Sequence, residues 1–411
     1  MVLNRNNIGR NKKIVLITSN FPYGGASANL LRYFTFALAN QKNDIEVIIP
    51  TGCYYGNKID VNTKRCGEVK SVKYKHLGFI NHPQNYFGKL LDNLLGLILP
   101  FFYLSNKAFK KDLDIIIIYD PFLFSMVSYL ITKLFLRKKL VVILPEFFER
   151  PDTKFISLEL IKWYGFYISI KYLVRYADKF IVLSSYLKKY LTTRFKAPKD
   201  ILIMPNLTDP KRFEINDIKP FIPNKITIGY IGTPTKKDGI LDLIKSFGVL
   251  NMKYKDTHLL IIGDITNGNS IVPDLKKYAF ENGVNEGCIT FTGLQSHTIV
   301  PQLLLSCQIL ALTRPNGIFA EAGFPTKLGE YFSCKKPVVI TSVGDMPKYF
   351  KNEEQVILVE PENIQSIIDG FEKIITNEKL SENLCLRGYK WMDENLNYVN
   401  QAKKISEFIN N

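Results

Sequence analysis

The 411 residues are enough for two or three domains with sizeable cores. Hydrophobic residues at 46% and charged residues at 22% describe an ordinary soluble globular chain and argue against disorder. The net charge of +16 lies wholly in residues 1–205, with 31 Lys and Arg against 14 Asp and Glu, whereas residues 206–411 hold 23 and 24; so uneven an excess points to an anionic partner for the first half, nucleic acid or a membrane surface.

From the amino end, Met1–Asn11 is polar and carries Asn and Arg where the apolar stretch of a secretory signal would stand. Lys13–Ser19 (KIVLITS) reads as a buried strand and runs into FPYGGASANLLRYFTFALA, a glycine turn opening an amphipathic helix. Ile45–Pro50 reads as the next strand. Asn93–Asn106, the longest uncharged stretch near an apolar segment, has 14 residues and contains Pro100, short of the roughly 18 of a membrane span. Asp114–Tyr119, Leu140–Leu144 and Lys179–Leu183 repeat the strand pattern, each after a helix-like segment. MPNLTDPKRF, Met204 to Phe213, reads as a linker.

After the linker the alternation restarts with strands at Lys225–Gly232, His258–Asp264, Cys288–Gly293, Gln308–Thr313, Pro337–Thr341 and Gln355–Glu360, and Ser381–Asn411 is helical in pattern. Continuous apolar strands alternating with helices imply parallel sheets covered on both faces. The expected fold is α/β, two doubly wound Rossmann-like domains facing across a cleft, with ligands outside the carboxyl ends of the strands. Six cysteines form no CxxC pair and sit near no His at zinc spacing, which favours a reducing, cytoplasmic compartment and no structural metal.

Three post-strand stretches carry chemistry. In GYIGTPTKKDGI, Gly232 permits close backbone approach and Lys236 and Lys237 offer cations before a helix, which suits a diphosphate; the alternative is a solvated lysine pair. It is neither a Walker A loop nor GxGxxG. In FPYGGASANLLR, Gly24 and Gly25 either line the cleft or only make a tight turn. In RPNGIFAEAGFPTKLGEY, Pro325 and Thr326 start a helix whose N-terminus favours phosphate, and Lys335–Pro337 end it. Glu330, one turn in, can accept two ribose hydroxyls or be a solvated helical carboxylate. His82 and His297 read as surface or structural, and Cys334 as a buried small hydrophobe.

These segments, with ITFTGLQSHTIVPQLLLSCQILAL and FPTKLGEYFSCKKPVVITSVGDMPKYF, resemble the family 4 glycosyltransferases, retaining enzymes of the GT-B architecture, over nearly the whole chain, and within them transferases of bacterial surface-polysaccharide assembly. The resemblance implies an acceptor-binding domain over 1–205, a nucleotide-sugar-binding domain over 206–390, and a C-terminal helix over 391–411 packing back on the first domain. It makes Glu330 the ribose-contacting second Glu of a Glu-x7-Glu motif. Gly232 and Lys237 match the diphosphate loop, with Thr233 where the family often has Arg, and Gly24 and Gly25 match the loop closing over the reaction centre. Two departures stand out: position 322 is Ala, with Glu321 one residue early, and LPEFFER offers Glu146 where the family often has an acceptor-side His.

The implied activity is transfer of a sugar from a nucleoside diphosphate sugar, with retention, to a glycan or polyprenyl-diphosphate-linked acceptor. The implied site is Glu330, Glu321 and Lys237 for catalysis, with Gly232, Thr233, Lys236, Arg314, Gly323, Phe324, Pro325, Thr326 and Lys327 around the donor. No cofactor and no metal is expected: the only DxD, Asp112 and Asp114, precedes a strand. Two other classes stay open, a sugar-nucleotide epimerase and a non-catalytic sugar-nucleotide-binding subunit. No nucleic-acid-binding module is recognisable, so an anionic membrane surface is the expected anionic partner, reached from the cytoplasmic side through Asn85–Lys111 and Phe155–Arg175, which mix aromatic and apolar residues with Lys and Arg.

Overall fold

Runs of Val, Ile and Leu with no polar alternation satisfy themselves only when both faces are covered, and here they form the central strands of two separate sheets. The structure is a computed structural model that describes residues 11–53, 64–119, 123–151, 158–197, 200–265 and 268–411. Met1–Arg10 and Phe155–Ser157, both considered above, lie outside the described residues.

The first sheet holds β1 (Lys13–Ile17), β2 (Asp44–Ile49), β3 (Cys66–Val69), β4 (Val72–His76), β5 (Ile115–Tyr119), β6 (Lys139–Leu144), β7 (Lys179–Val182) and β8 (Ile201–Ile203). Their order is β3-β4-β2-β1-β5-β6-β7-β8, parallel throughout except for the β3–β4 hairpin. Ile14 of β1 pairs with Ile45 on one side and Ile115 on the other, so strand order reverses between β1 and β5. Helices α1 (Ala26–Asn40), α2 (Tyr86–Phe109), α3 (Leu123–Leu136), α4 (Leu158–Tyr176) and α5 (Ser185–Phe195) make the crossovers.

The second sheet holds β9 (Ile226–Ile231), β10 (Thr257–Ile262), β11 (Ile289–Phe291), β12 (Ile309–Leu312), β13 (Val338–Thr341) and β14 (Ile357–Val359), all parallel in the order β11-β10-β9-β12-β13-β14. Its reversal lies between β9 and β12. The helices are α6 (Ile240–Lys253), α7 (Val272–Glu281), α8 (Val300–Leu305), α9 (Ile318–Ala322), α10 (Thr326–Ser333), α11 (Met346–Tyr349), α12 (Ile364–Thr376), α13 (Glu378–Asn395) and α14 (Tyr398–Asn410). Phe247 of α6 and Phe371 of α12 are fully buried where those helices pack, each worth roughly 2–3 kcal/mol of transfer free energy.

The chain divides into two compact units, one ending at Met204 and rejoined by Gln401–Asn411, the other running from Pro205 to Asn400. Residues 391–411 are not one helix: α13 stops at Asn395, the Thr208 amide donates to the Leu396 carbonyl while its own carbonyl accepts from the Tyr398 amide, and α14 begins at Tyr398. Gln401–Asn411 belongs to the first unit, where Ala402, Ile405 and Ile409 are buried and Asn43 donates to Ser406 Oγ.

Two further corrections concern α2 and the edge strands. The uncharged 14 residues understate α2, which is 24 residues long and apolar enough by length and composition to cross a membrane. It continues past Asp92 because that carboxylate is buried and partnered: both oxygens accept from the Gly52 amide (3.0 Å each), and His82 Nδ1 lies 3.4 Å from one of them. β3, at the sheet edge, and β4 beside it interleave apolar residues with Lys, Glu and Gly rather than forming a continuous run.

Candidate functional site

In the second unit the loops after β9 and β12 meet at the strand-order reversal, where an open parallel sheet leaves a crevice. β9 leads directly into Gly232, whose φ of 138° suits only glycine, and a Cβ there would stand 2.5 Å from Lys327 Nζ. β12 ends in Arg314. Tyr331, one turn into α10, ties the helix to both strands: its hydroxyl donates to the Ala311 carbonyl and accepts from the Ile231 amide, each at 3.1 Å.

Among these elements is a charged cluster that the sequence reading did not contain. Asp238, buried just before the turn into α6, accepts from the Lys327 ammonium, from Arg314 Nε (3.1 Å) and from the Tyr230 hydroxyl (2.8 Å). Burial would raise the Asp238 carboxyl, but Lys327 and Arg314 overcome it and hold the pKa down at about 2. Burial drives Lys327 below the usual lysine range, opposed by Asp238, and pushes Tyr230 well above the phenol range. Two cations share one carboxylate, so the cluster carries net positive charge in a place water barely reaches.

The cluster lies under the start of α10. Pro325 is the residue before that helix, which starts at Thr326, and no side chain caps the N-terminus. The first-turn amides are therefore available to an anion. Phe324 is buried and its carbonyl accepts from Asn206 Nδ2, while Arg314 points toward Gly323, its Nη1 3.9 Å from where a Cβ would stand. Lys335 takes the left-handed conformation (φ 53°) just past the helix.

Glu330 is neither solvated nor unpartnered. Arg212, on a short helical turn at Pro210–Phe213, donates to its Oε1 at 3.0 Å and also to the His297 carbonyl (3.0 Å) and ring. The guanidinium thus fixes one carboxylate oxygen of Glu330. Neither Arg212 nor Asp238 was read from sequence: Arg212 stands 118 residues from its partner in a polar linker, and Asp238 follows two lysines.

The lysines before Asp238 behave differently. Lys236 and Lys237 are exposed, as is Thr233, and Lys237 Nζ lies 3.7 Å from the ring centroid of Phe319 in α9. Ala322 is buried while Glu321 is exposed, so the early carboxylate does not occupy the position one residue on. In the first unit Gly25 precedes α1 with open space around it, Gly24 has φ 137°, and Glu146 is exposed just after β6. β1 and β6 flank β5 in parallel, so the glycines and Glu146 share the carboxyl edge of one sheet at its strand-order reversal.

Residues 211–391 match the profile of the family described as Glycosyl transferases group 1. A capsular polysaccharide biosynthesis glycosyltransferase, CapM, of Staphylococcus aureus is 25% identical over 244 residues, 56% of this chain and 60% of its own length. This chain thus spans about three fifths of that relative. Among solved structures, sucrose-phosphate synthase from Thermosynechococcus elongatus superimposes with a TM-score of 0.74 at 16% identity, covering 97% of this chain and 98% of the other. Anabaena Alr3699/HepE in complex with UDP superimposes with a TM-score of 0.68 at 16% identity, covering 97% and 99%. The fold is that of the GT-B glycosyltransferases, two parallel-sheet Rossmann-like domains.

Proposed function

We propose that this chain transfers a sugar from a nucleoside diphosphate sugar, with retention at the anomeric carbon, to a glycan or lipid-linked glycan acceptor in surface-polysaccharide biosynthesis. The observation that carries the proposal is Asp238 holding Lys327 and Arg314 beneath the uncapped N-terminus of α10. A departing diphosphate meets backbone amides and a net positive charge already in place, which lowers the barrier without reorganisation. Gly232 lets the β9 loop approach the phosphates, and the second oxygen of Glu330 accepts a ribose hydroxyl. The neutral polyol is the part of a nucleotide that tolerates a carboxylate there. These groups serve the leaving group without calling on a metal.

The solved complex of Anabaena Alr3699/HepE with UDP makes uridine diphosphate the first nucleotide to try, and the capsular relative favours a polysaccharide acceptor. Thermal shift against UDP, GDP and ADP should show one that raises the melting temperature, because a ligand that binds only the folded state stabilises it by mass action. Release of that nucleotide from its sugar in the presence of acceptor, with the anomeric configuration of the product read by NMR, then tests transfer and retention. No shift with any nucleoside diphosphate overturns the proposal. The exposed Glu321 and buried Ala322 favour one second reading, a subunit that binds the nucleotide sugar without transferring it; it predicts the thermal shift without nucleotide release. A nucleotide sugar converted to its epimer without acceptor would indicate the epimerase instead.

A further inference from the structure

α2 is amphipathic in the inverse sense. Its packed face repeats every fourth residue as Asp92, Gly96, Pro100 and Leu104, all buried. Two residues out of phase, on the opposite side of the cylinder, Leu90, Leu94, Ile98 and Phe102 repeat at the same spacing and are exposed. Phe87 and Phe102 are 74% and 64% exposed, and Ile98 47%. A surface helix normally hides such residues and shows its polar ones. Here the small and polar residues face inward, and the large apolar residues face solvent.

The inward face is fastened. Asp92 accepts from the Gly52 amide, Gly96 passes Thr51 so closely that a Cβ would stand 2.4 Å from its methyl, and Lys107 pairs with Glu46 of β2. The apolar surface continues onto the helices beside it, with Phe135 of α3 77% exposed and Ile161 and Tyr164 of α4 exposed as well. α2, α3 and α4 each end just before β5, β6 and β7, which run parallel. Their last turns therefore share one edge of the unit, and there Lys110, Lys111, Arg137 and Arg175 are exposed.

An apolar face beside a basic rim fits one occupant on both counts, an anionic bilayer. A second copy of this chain would bring the same excess of positive charge to the contact. Crossing the bilayer would strip Asp92 from Gly52 and Lys107 from Glu46 and bury them in hydrocarbon. We propose that α2 lies in the plane of an anionic membrane surface, with Phe87, Leu94, Ile98 and Phe102 reaching the acyl chains and the basic ends of α2, α3 and α4 on the headgroups. The inference concerns the first unit alone and stands or falls apart from the donor site.

Flotation of the full chain with vesicles decides it, without any assay of transfer. The chain should float with vesicles of phosphatidylcholine plus phosphatidylglycerol and stay behind with phosphatidylcholine alone. Lys110→Glu with Lys111→Glu should lower recovery by roughly fivefold or more per residue, and Phe87→Ser with Ile98→Ser and Phe102→Ser should abolish it. All five positions are exposed, and unchanged circular dichroism in each variant shows that the fold is kept. Alkaline carbonate should release the wild type, and a fluorophore on Ile98→Cys should be quenched by lipids brominated in the acyl chain. Equal recovery on neutral and anionic vesicles, recovery on neither, or flotation that survives the Ser substitutions overturns the proposal. Resistance to carbonate overturns it in favour of a spanning α2, and dimers in light scattering that the Ser variants dissolve overturn it in favour of a second copy.

Discussion

The Asp238 carboxylate faces two cations and a phenol where its own burial works against ionisation, and the cations win. Its folded pKa, about 2, lies below the ordinary aspartate value of 3.8. The stability it contributes is therefore fully present above about pH 4 and is lost as pH falls through about 2, an effect of about 2 kcal/mol. Asp238→Asn should cost about 3–5 kcal/mol near neutrality, since it strands Lys327 and Arg314. Urea denaturation at stepped pH should show the wild type's advantage narrowing by about 2 kcal/mol between about pH 4 and pH 2; a constant advantage would mean that the cations do not set the titration. Glu330→Gln keeps a hydrogen-bonding oxygen toward Arg212 but removes the charge that a ribose hydroxyl would meet. It should reduce kcat/KM for the nucleotide sugar by about 10- to 100-fold, the worth of one charge-assisted hydrogen bond, while leaving the melting temperature nearly unchanged. An unaltered kcat/KM in steady-state kinetics at saturating acceptor would take Glu330 out of the donor contact. At this scale the sequence showed residue types in loops and not their pairings. Glu330, Arg314 and Lys327 stood out because they follow strands, but Asp238 lies 89 residues from Lys327, a partnership only the folded chain creates.

Among the elements, α6 and α10 hold the loops in register. Gly239 turns the chain into α6 with φ +68°, and a Cβ there would stand 1.7 Å from the Thr313 carbonyl oxygen of the loop after β12. Gly239→Ala should cost more than about 4 kcal/mol, whereas Gly25→Ala, with nothing within 4 Å, should leave stability unchanged. Differential scanning calorimetry of the two variants checks the contrast, and equal melting temperatures would refute it. The two lysine elements also separate. Lys327 is buried at the start of α10 and Lys237 is exposed on the Phe319 ring. Lys327→Met should therefore weaken binding of the nucleoside diphosphate more than Lys237→Ala does, and by an amount less sensitive to salt. Calorimetric titration giving the reverse order would mean that Lys237 leaves Phe319 to take the phosphate. Elements with continuous apolar runs were legible because burial on both faces leaves no other composition, and eleven of the runs read as strands fall on β1, β2, β5, β6, β7 and β9–β14. The hairpin β3–β4 was not, since its polar residues imitate a loop, and neither was β8, whose three residues are too short a run to stand out. The helix span of α2 was underread because charge was taken as a boundary, although a buried Asp92 is part of its packing.

For the whole molecule, the first unit takes its last residues from beyond the second. Gln401–Asn411 supplies Ala402, Ile405 and Ile409 to its core, Ser406 accepts from Asn43, and Lys179 lies 4.7 Å from the ring centroid of Phe408. Deleting Gln401–Asn411 should lower the melting temperature of the first unit and leave that of the second within error. Hydrogen exchange, read separately on peptides of β1 and β9, checks this; equal loss of protection in both would show that the tail does not act on the first unit alone. The division near residue 206 and the two α/β alternations could be read from the chain, but not the point at which the tail changes allegiance, because an amphipathic helix carries no mark of which unit it covers. That return of the chain also bears on its synthesis. At roughly 5–20 residues per second, the ribosome needs about 10 to 40 s to make Pro205–Asn400 after Met204 has emerged. Throughout that interval Asn43 lacks Ser406 and Lys179 lacks the Phe408 ring. The unit translated first is the one finished last, and chaperones that protect half-covered nascent domains should dwell on it until Gln401–Asn411 arrives.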